Sequence, residues 1–69
     1  MSNNATRAQR CAKAIALYGD RDPDPATQLI DLLADIRHWC DRHGEDFARL
    51  DRLAYDHYLS ELHDERTKP

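Results

Sequence analysis

Cysteine and histidine are the residues of this chain that most directly suggest chemistry. Cys40 and His43 form a C-x-x-H pair, whose i, i+3 spacing places both side chains on one face of a helix. Zinc prefers such ligands, and other candidates along the chain are Cys11, His57 and His63. These three form no second close pair of the kind that structural zinc sites contain. We therefore expect no metal and no cofactor, and we interpret Cys40 as an ordinary core cysteine.

The same cysteine and histidine types could supply a nucleophile and its base. That chemistry needs an exposed thiolate, a third group that orients the base, and a cleft for the substrate. A chain of 69 residues has little room for such a cleft, and its two glycines, Gly19 and Gly44, cannot form a glycine-rich phosphate loop. We therefore predict that the protein is not an enzyme. Because the two cysteines lie far apart in a chain that we expect in a reducing compartment, we also expect no disulfide.

Three helical segments, separated by two breaks, must position any functional side chain. Apolar residues recur at helical spacing in segments 5–18, 26–43 and 46–63. Two prolines in residues 19–25 exclude a continuous helix there, and the polar tail 64–69 is expected to fray. The sequence thus predicts a single all-α domain that spans the whole chain, with an N-terminal helix followed by a helical hairpin.

The expected helix ends follow from local residue chemistry. Asp24 is the predicted N-cap of the second helix, with Pro25 at its first position, and the alternative start is Asp22 with Pro23. Gly44 stands where a left-handed residue ends that helix. The third helix should begin near the acids Glu45 and Asp46. The remaining candidates, at the two ends of the first helix, are Ser2, Asn3, Asn4 and Gly19.

Each hairpin segment carries a broad apolar face. The candidates for the core or for a dimer interface are Leu33, Ile36, Trp39, Phe47, Leu50, Tyr58 and Leu62. A hairpin of this size has too little apolar area for a stable core of its own. Either the first helix completes a three-helix bundle or a second chain completes the core. Because the first helix is rich in alanine and contributes little area, we predict a homodimer.

Asp51 falls, by helical projection, inside the apolar arc of the third segment. A buried carboxylate needs a partner, and the candidates are Arg37, the hydroxyl groups of Tyr55 and Tyr58, or a residue of a second chain. In the alternative interpretation, the arc narrows at this point and Asp51 reaches solvent.

Charge is distributed asymmetrically along the chain, whose net charge is −3. Arg7, Arg10 and Lys13 give residues 1–19 a charge of +3, whereas residues 20–65 carry −8. Such asymmetry can indicate an interaction surface. The alternative is that the basic arm lies against the acidic body of its own chain or of a second copy.

The acidic body could itself be a binding surface. The acids that could form a negative strip are Asp31 and Asp35, with Asp20, Asp22 and Asp24 in the loop. Such a strip could occupy a nucleic-acid-binding groove on another protein. The alternative is an ordinary solvated face with the partial ion pairs Arg37–Asp41 and Arg52–Asp56. Because the body is acidic, direct binding of nucleic acid is disfavoured.

From its hydropathy, we expect the protein in the cytoplasm. The sequence contains no run of about 18 apolar residues, so no membrane span is expected. Its first seven residues also lack the apolar core of a signal peptide.

A family resemblance is carried by Leu29–Asp41, Asp46-Phe47, Leu50-Asp51-Arg52, Ala54-Tyr55 and His57-Tyr58-Leu59. With these residues, the stretch 27–62 resembles short uncharacterised helical proteins of bacteriophages and of integrating or conjugative elements in proteobacteria. The resemblance implies a mobile-element context and brings no activity, catalytic residue or cofactor. Small acidic helical proteins in that context are sometimes inhibitors of host defence, including anti-CRISPR proteins.

These observations favour a small non-enzymatic module, encoded on a mobile element, that acts by binding another protein. One alternative is an acidic inhibitor of a host defence complex or of a nucleic-acid-handling complex. A second alternative is a small DNA-binding regulator. The candidate interaction residues are Asp31, Asp35, Asp51, Arg7, Arg10 and Lys13.

Overall fold

The computed structural model describes residues 3–20 and 22–67, and it contains three α-helices. These are α1 (Asn4–Ala16), α2 (Pro25–His43) and α3 (Phe47–Thr67). The predicted all-α fold is confirmed, and no strand occurs among the described residues. The cap candidate Ser2, the loop residue Arg21, and Lys68 and Pro69 of the tail lie outside the described residues. The expected fraying from residue 64 is wrong as far as Thr67, because α3 continues to that residue.

The first helix begins as predicted and ends differently. The side chain of Asn3 accepts a hydrogen bond from the backbone N–H of Thr6 at 2.8 Å, so Asn3 is its N-cap. At the other end, the N–H groups of Tyr18 and Gly19 donate to carbonyl groups three residues earlier. Gly19 is not in the left-handed region, so α1 ends in a tight turn and not at a glycine cap.

The second helix confirms both of its predicted ends. The Asp24 carboxylate accepts hydrogen bonds from the Ala26 N–H at 3.3 Å and from the Thr27 hydroxyl at 3.2 Å, and Pro25 occupies the first turn. Gly44 ends the helix at φ 69° and ψ 23°. The N–H groups of Gly44 and of Glu45 both donate to the carbonyl of Cys40.

The third helix starts immediately after this turn. The Asp46 carboxylate accepts a hydrogen bond from the backbone N–H of Arg49 at 3.3 Å, and the Asp46 carbonyl accepts one from Leu50. The turn between α2 and α3 is therefore only three residues long, which makes the two helices neighbours at that end.

Away from the turn, α2 and α3 diverge. Their mutual contacts are sparse for helices of 19 and 21 residues, and α1 spans the opening between them. The Tyr18 hydroxyl donates to Asp35 of α2 at 2.7 Å, and Arg7 pairs with Glu61 of α3 at 3.0 Å. The result is a flat arrangement with principal extents of 41 × 30 × 18 Å.

This open arrangement leaves almost no core within one chain. Among the described residues, Cys40 is the one buried hydrophobic side chain, with 2% of its surface exposed. The other buried residue, Gln28, donates from Nε2 to the Asp22 carbonyl at 2.7 Å. Because α1 contributes no buried residue, it does not complete a closed three-helix bundle.

The dimensions agree with this description. The accessible surface is 5950 Å², whereas a compact monomer of 8.0 kDa exposes about 4,450 Å², so the chain exposes about 1,500 Å² more than expected. The radius of gyration is 14.2 Å, against about 11 Å for a compact domain of this length. The excess area is the central physical feature of the fold.

Candidate protein-binding surface

Ten large hydrophobic side chains are exposed within residues 3–20 and 22–67. They are Leu17, Leu29, Ile30, Leu33, Ile36, Trp39, Leu53, Tyr55, Tyr58 and Leu59. Scattered apolar residues are normal on protein surfaces, but contiguous apolar faces mark binding sites. Nine of the ten lie on α2 and α3, so the question is how they are arranged on those two helices.

The exposed residues of α2 form one continuous face, which we call the α2 stripe. Leu29, Leu33 and Ile36 follow one another at intervals of four and three residues, which aligns them along the helix. Ile30 and Trp39 flank this line, one on each side. The stripe therefore resembles the seam of a helix that packs lengthwise against another helix.

Trp39 is held in place although 54% of its surface is exposed. Its ring stacks on the ring of His43, with centroids 4.1 Å apart and planes at 17°. The Nδ1 atom of His43 lies 2.8 Å from the Trp39 carbonyl oxygen and donates to it, since a carbonyl can only accept. A large aromatic side chain that is exposed and fixed is the type of residue that often dominates binding energy.

The exposed residues of α3 are less continuous. Tyr55 and Tyr58 lie close together, with ring centroids 6.2 Å apart, and Leu59 is next to them. Leu53 lies on a different side of the helix, because its helical angle is about 160° from that of Tyr55. Of the predicted core candidates on α3, Tyr58 is exposed, whereas Phe47, Leu50 and Leu62 are only half-buried.

A groove of about 340 Å³ runs between α1 and the C-terminal half of α3. Ala8, Tyr58 and Leu62 contribute its apolar surface, and the Arg7–Glu61 ion pair lies along it. The first helix thus already covers part of the α3 face.

The predicted acidic strip is largely engaged in local structure. Asp24 caps α2, and the Asp22 carboxylate accepts the Asp24 N–H at 2.8 Å. Asp35 accepts the hydroxyl of Tyr18, and Asp31 is half-buried. Asp20 is exposed. Three of the five acids therefore have a structural partner in their own chain.

The basic arm lies against the acidic body of its own chain. Arg7 pairs with Glu61, and Asn4 donates from Nδ2 to the Glu61 carbonyl at 3.2 Å and to the Glu65 carboxylate at 2.7 Å. Arg10 and Lys13 are exposed on the same helix. Of the two interpretations of the arm, the structure supports the intramolecular one for Arg7.

Asp51 is exposed, which corresponds to the interpretation in which the arc narrows. Arg37 does not reach it, because the guanidinium of Arg37 lies over the ring of Phe47, 4.2 Å from the centroid. The expected pairs Arg37–Asp41 and Arg52–Asp56 are not formed in the described part of the chain.

The cysteines are both free thiols, with Cys40 buried and Cys11 exposed. The interpretation of Cys40 as a core cysteine is thereby confirmed. Across residues 3–20 and 22–67, no three side chains of the His, Cys, Asp and Glu types are grouped closely enough to hold a metal ion. In the same ranges, every helix is too short or too polar to span a bilayer.

Comparison with protein families, curated proteins and solved structures finds no match to this chain. The sequence-based search for site residues missed Leu29 and Ile30. The signal for Leu29 was its spacing of four and then three residues to Leu33 and Ile36. This spacing is typical of a helix that packs lengthwise against another helix.

Proposed function

We propose that the protein is a small non-enzymatic interaction module that acts by binding another protein through the apolar faces of α2 and α3. The proposal depends on one contrast among the described residues. One hydrophobic side chain, Cys40, is buried, whereas ten large hydrophobic side chains are exposed. A soluble chain gains free energy when such a face is removed from water, and a protein surface of similar character is the partner that removes it.

The first partner that we propose is a second copy, which makes the module a homodimer. The excess area of about 1,500 Å² for each chain would give a total interface of about 3,000 Å², within the range of obligate homodimers. A weak or transient partner buries far less, so the excess area supports a permanent interface.

We propose that the module works in the cytoplasm. A mobile-element origin is supported by the sequence resemblance over residues 27–62.

Sedimentation velocity over a series of protein concentrations tests this proposal. We expect a dimer for the unmodified chain and a shift to monomer for Leu33→Glu, which places a charge at the middle of the α2 stripe. The matched control is Leu17→Glu, because Leu17 is 82% exposed in the turn after α1 and lies off both faces. A folded monomer at every concentration, or equal effects of the two variants, would contradict the homodimer.

The acidic-inhibitor alternative has less support. An inhibitor that fills a basic groove needs acids that are free to meet it, whereas Asp22, Asp24 and Asp35 are engaged within the chain. The DNA-binding alternative is weakened in the same way, because Glu61 neutralises Arg7 of the basic arm.

A further inference from the structure

We infer that the N-terminal half of α1, residues 4–10, is a lid that masks one end of an apolar stripe on α3. This inference rests on the homodimer proposed above. It goes beyond the homodimer by assigning a surface that α1 withholds from the second copy. The lid is closed in the structure, and lifting it enlarges the apolar surface of α3.

The masked surface belongs to four residues of α3 that we call the α3 stripe: Tyr55, Tyr58, Leu59 and Leu62. The last three follow Tyr55 at intervals of three, four and seven residues, which places all four on one side of the helix. The first three are exposed, whereas Leu62 is half-buried. Leu62 and Tyr58 also line the groove beside α1, so the C-terminal end of the stripe is the part that α1 covers.

The two ends of α1 are attached to the rest of the chain in different ways. At the C-terminal end, the half-buried residues are Ala14 and Ile15, followed by Tyr18 in the turn after the helix. In the lid, the half-buried residues are Asn4 and Arg7, which are both polar. The C-terminal end of α1 therefore has an apolar anchor, whereas the lid has none.

A polar network holds the lid on α3. The Asn4 amide donates to the Glu65 carboxylate at 2.7 Å and to the Glu61 carbonyl at 3.2 Å. Arg7 donates to the side-chain oxygen of Asn4 at 2.8 Å and pairs with the Glu61 carboxylate at 3.0 Å. Water can replace polar contacts between partly exposed groups at little net cost. The lid can therefore lift from α3, and a second copy that buries Leu62 competes with its closure.

Chemical linking of the lid to α3 tests this inference. In a Cys11→Ser background, Asn4→Cys and Glu65→Cys place two thiols across the junction, and a short bismaleimide joins them at high dilution. The matched control is the same protein with both thiols capped by N-ethylmaleimide, in which the lid is free. Cys40 is buried, so it stays unmodified in both forms.

Sedimentation velocity over a dilution series measures the dimer dissociation constant of both forms. We expect the linked form to dimerise at least about tenfold more weakly, because part of a leucine side chain is withheld from the interface. Equal constants, or a tighter dimer of the linked form, would overturn the lid and leave the homodimer intact. A monomer at every concentration in both forms and in the unmodified chain would contradict the homodimer, and the lid with it.

The identity of the masked residue is tested by adding a second substitution to the linked and capped forms. With Leu62→Ala, the two forms should differ much less, because the side chain that the lid withholds is shortened. With Leu53→Ala, on a different side of α3, the full difference should remain. A full difference in Leu62→Ala would overturn the assignment to the end of the α3 stripe.

Opening the lid by substitution gives the same comparison without a linker. Arg7→Ala removes the ion pair with Glu61 and should strengthen the dimer about two- to fivefold, which is the range that a partly exposed ion pair can supply. Lys13→Ala makes the same change of charge in α1 outside the lid and should leave the dissociation constant unchanged. A weaker dimer in Arg7→Ala would show that α1 supports the interface, and the lid would be overturned.

Discussion

The Arg7 guanidinium lies 3.0 Å from the Glu61 carboxylate, and this ion pair joins the first helix to the last. Asn4 strengthens the junction with its two hydrogen bonds to Glu61 and Glu65. Since α1 buries no residue, its N-terminal end is held mainly by these polar contacts. These polar contacts therefore fix the position of the N-terminal end of α1 against α3.

Removing the ion pair should loosen α1 without unfolding the protein. Both side chains are about one-third exposed, so Arg7→Ala should lower the free energy of unfolding by less than about 1 kcal/mol. We expect faster amide hydrogen exchange in α1 and unchanged exchange in α2. The control is Lys13→Ala, which removes an exposed cation from the same helix. Equal exchange rates in the two variants would show that the ion pair does not hold α1.

Loss of the Asp24 cap should destabilise α2 at its start. Asp24→Ala removes the acceptor of the Ala26 N–H and of the Thr27 hydroxyl, and it should cost about 1 kcal/mol in chemical denaturation at fixed protein concentration. Asp24→Ser should retain most of the stability, because serine is also a good N-cap. Asp20→Ala removes an exposed acid of the same loop and should have almost no effect. A large loss in Asp20→Ala would indicate a general charge effect and not a capping effect.

Helix ends were predictable because they depend on neighbouring residues. The cap at Asp24 with Pro25, the left-handed Gly44 and the start of α3 at Asp46 each follow from the chemistry of a few adjacent side chains. Gly19 shows the limit of this reasoning. The first helix ends in a tight turn there, and Gly19 lies close to Gln28 of α2. A Cβ atom at Gly19 would lie 3.9 Å from Nε2 of Gln28.

Contacts between distant residues were not predictable from periodicity. The tail was expected to fray, but Asn4 binds Glu65, and such a partner cannot be read from the sequence of the tail itself. Likewise, helical projection placed Leu33 and Ile36 on an apolar face without showing whether α3 or a second chain covers it. The divergence of α2 and α3, which leaves Leu33 and Ile36 partly exposed within one chain, is a property of the whole chain.

Gly44 should tolerate no ordinary side chain without a loss of stability. A Cβ atom there would meet nothing within 4 Å, so the cost of Gly44→Ala comes from the backbone at φ +69° alone. We expect a loss of about 1–2 kcal/mol, and a smaller loss for Gly44→Asn, because asparagine tolerates the left-handed region. Thermal unfolding followed by circular dichroism measures both. Equal losses in the two variants would argue against a left-handed residue at this turn.

The two cysteines should differ sharply in reactivity. Cys11 is exposed on α1, whereas Cys40 on α2 is only 2% exposed. With Ellman's reagent, we expect one thiol to react rapidly and the second to react only on unfolding. Cys11→Ser should remove the rapid phase and leave the slow one. Rapid reaction of both thiols in the folded protein would contradict the burial of Cys40.

Trp39 should report directly on the burial of the α2 stripe. It is the single tryptophan of the chain, and 54% of its surface is exposed within one copy. If a second copy covers the α2 stripe, the fluorescence emission of Trp39 should shift to shorter wavelength as the protein concentration rises, because the indole leaves water. Leu33→Glu should keep the emission at long wavelength at every concentration, and Leu17→Glu should behave like the unmodified chain. A concentration-dependent dimer whose emission does not move would place Trp39 outside the interface.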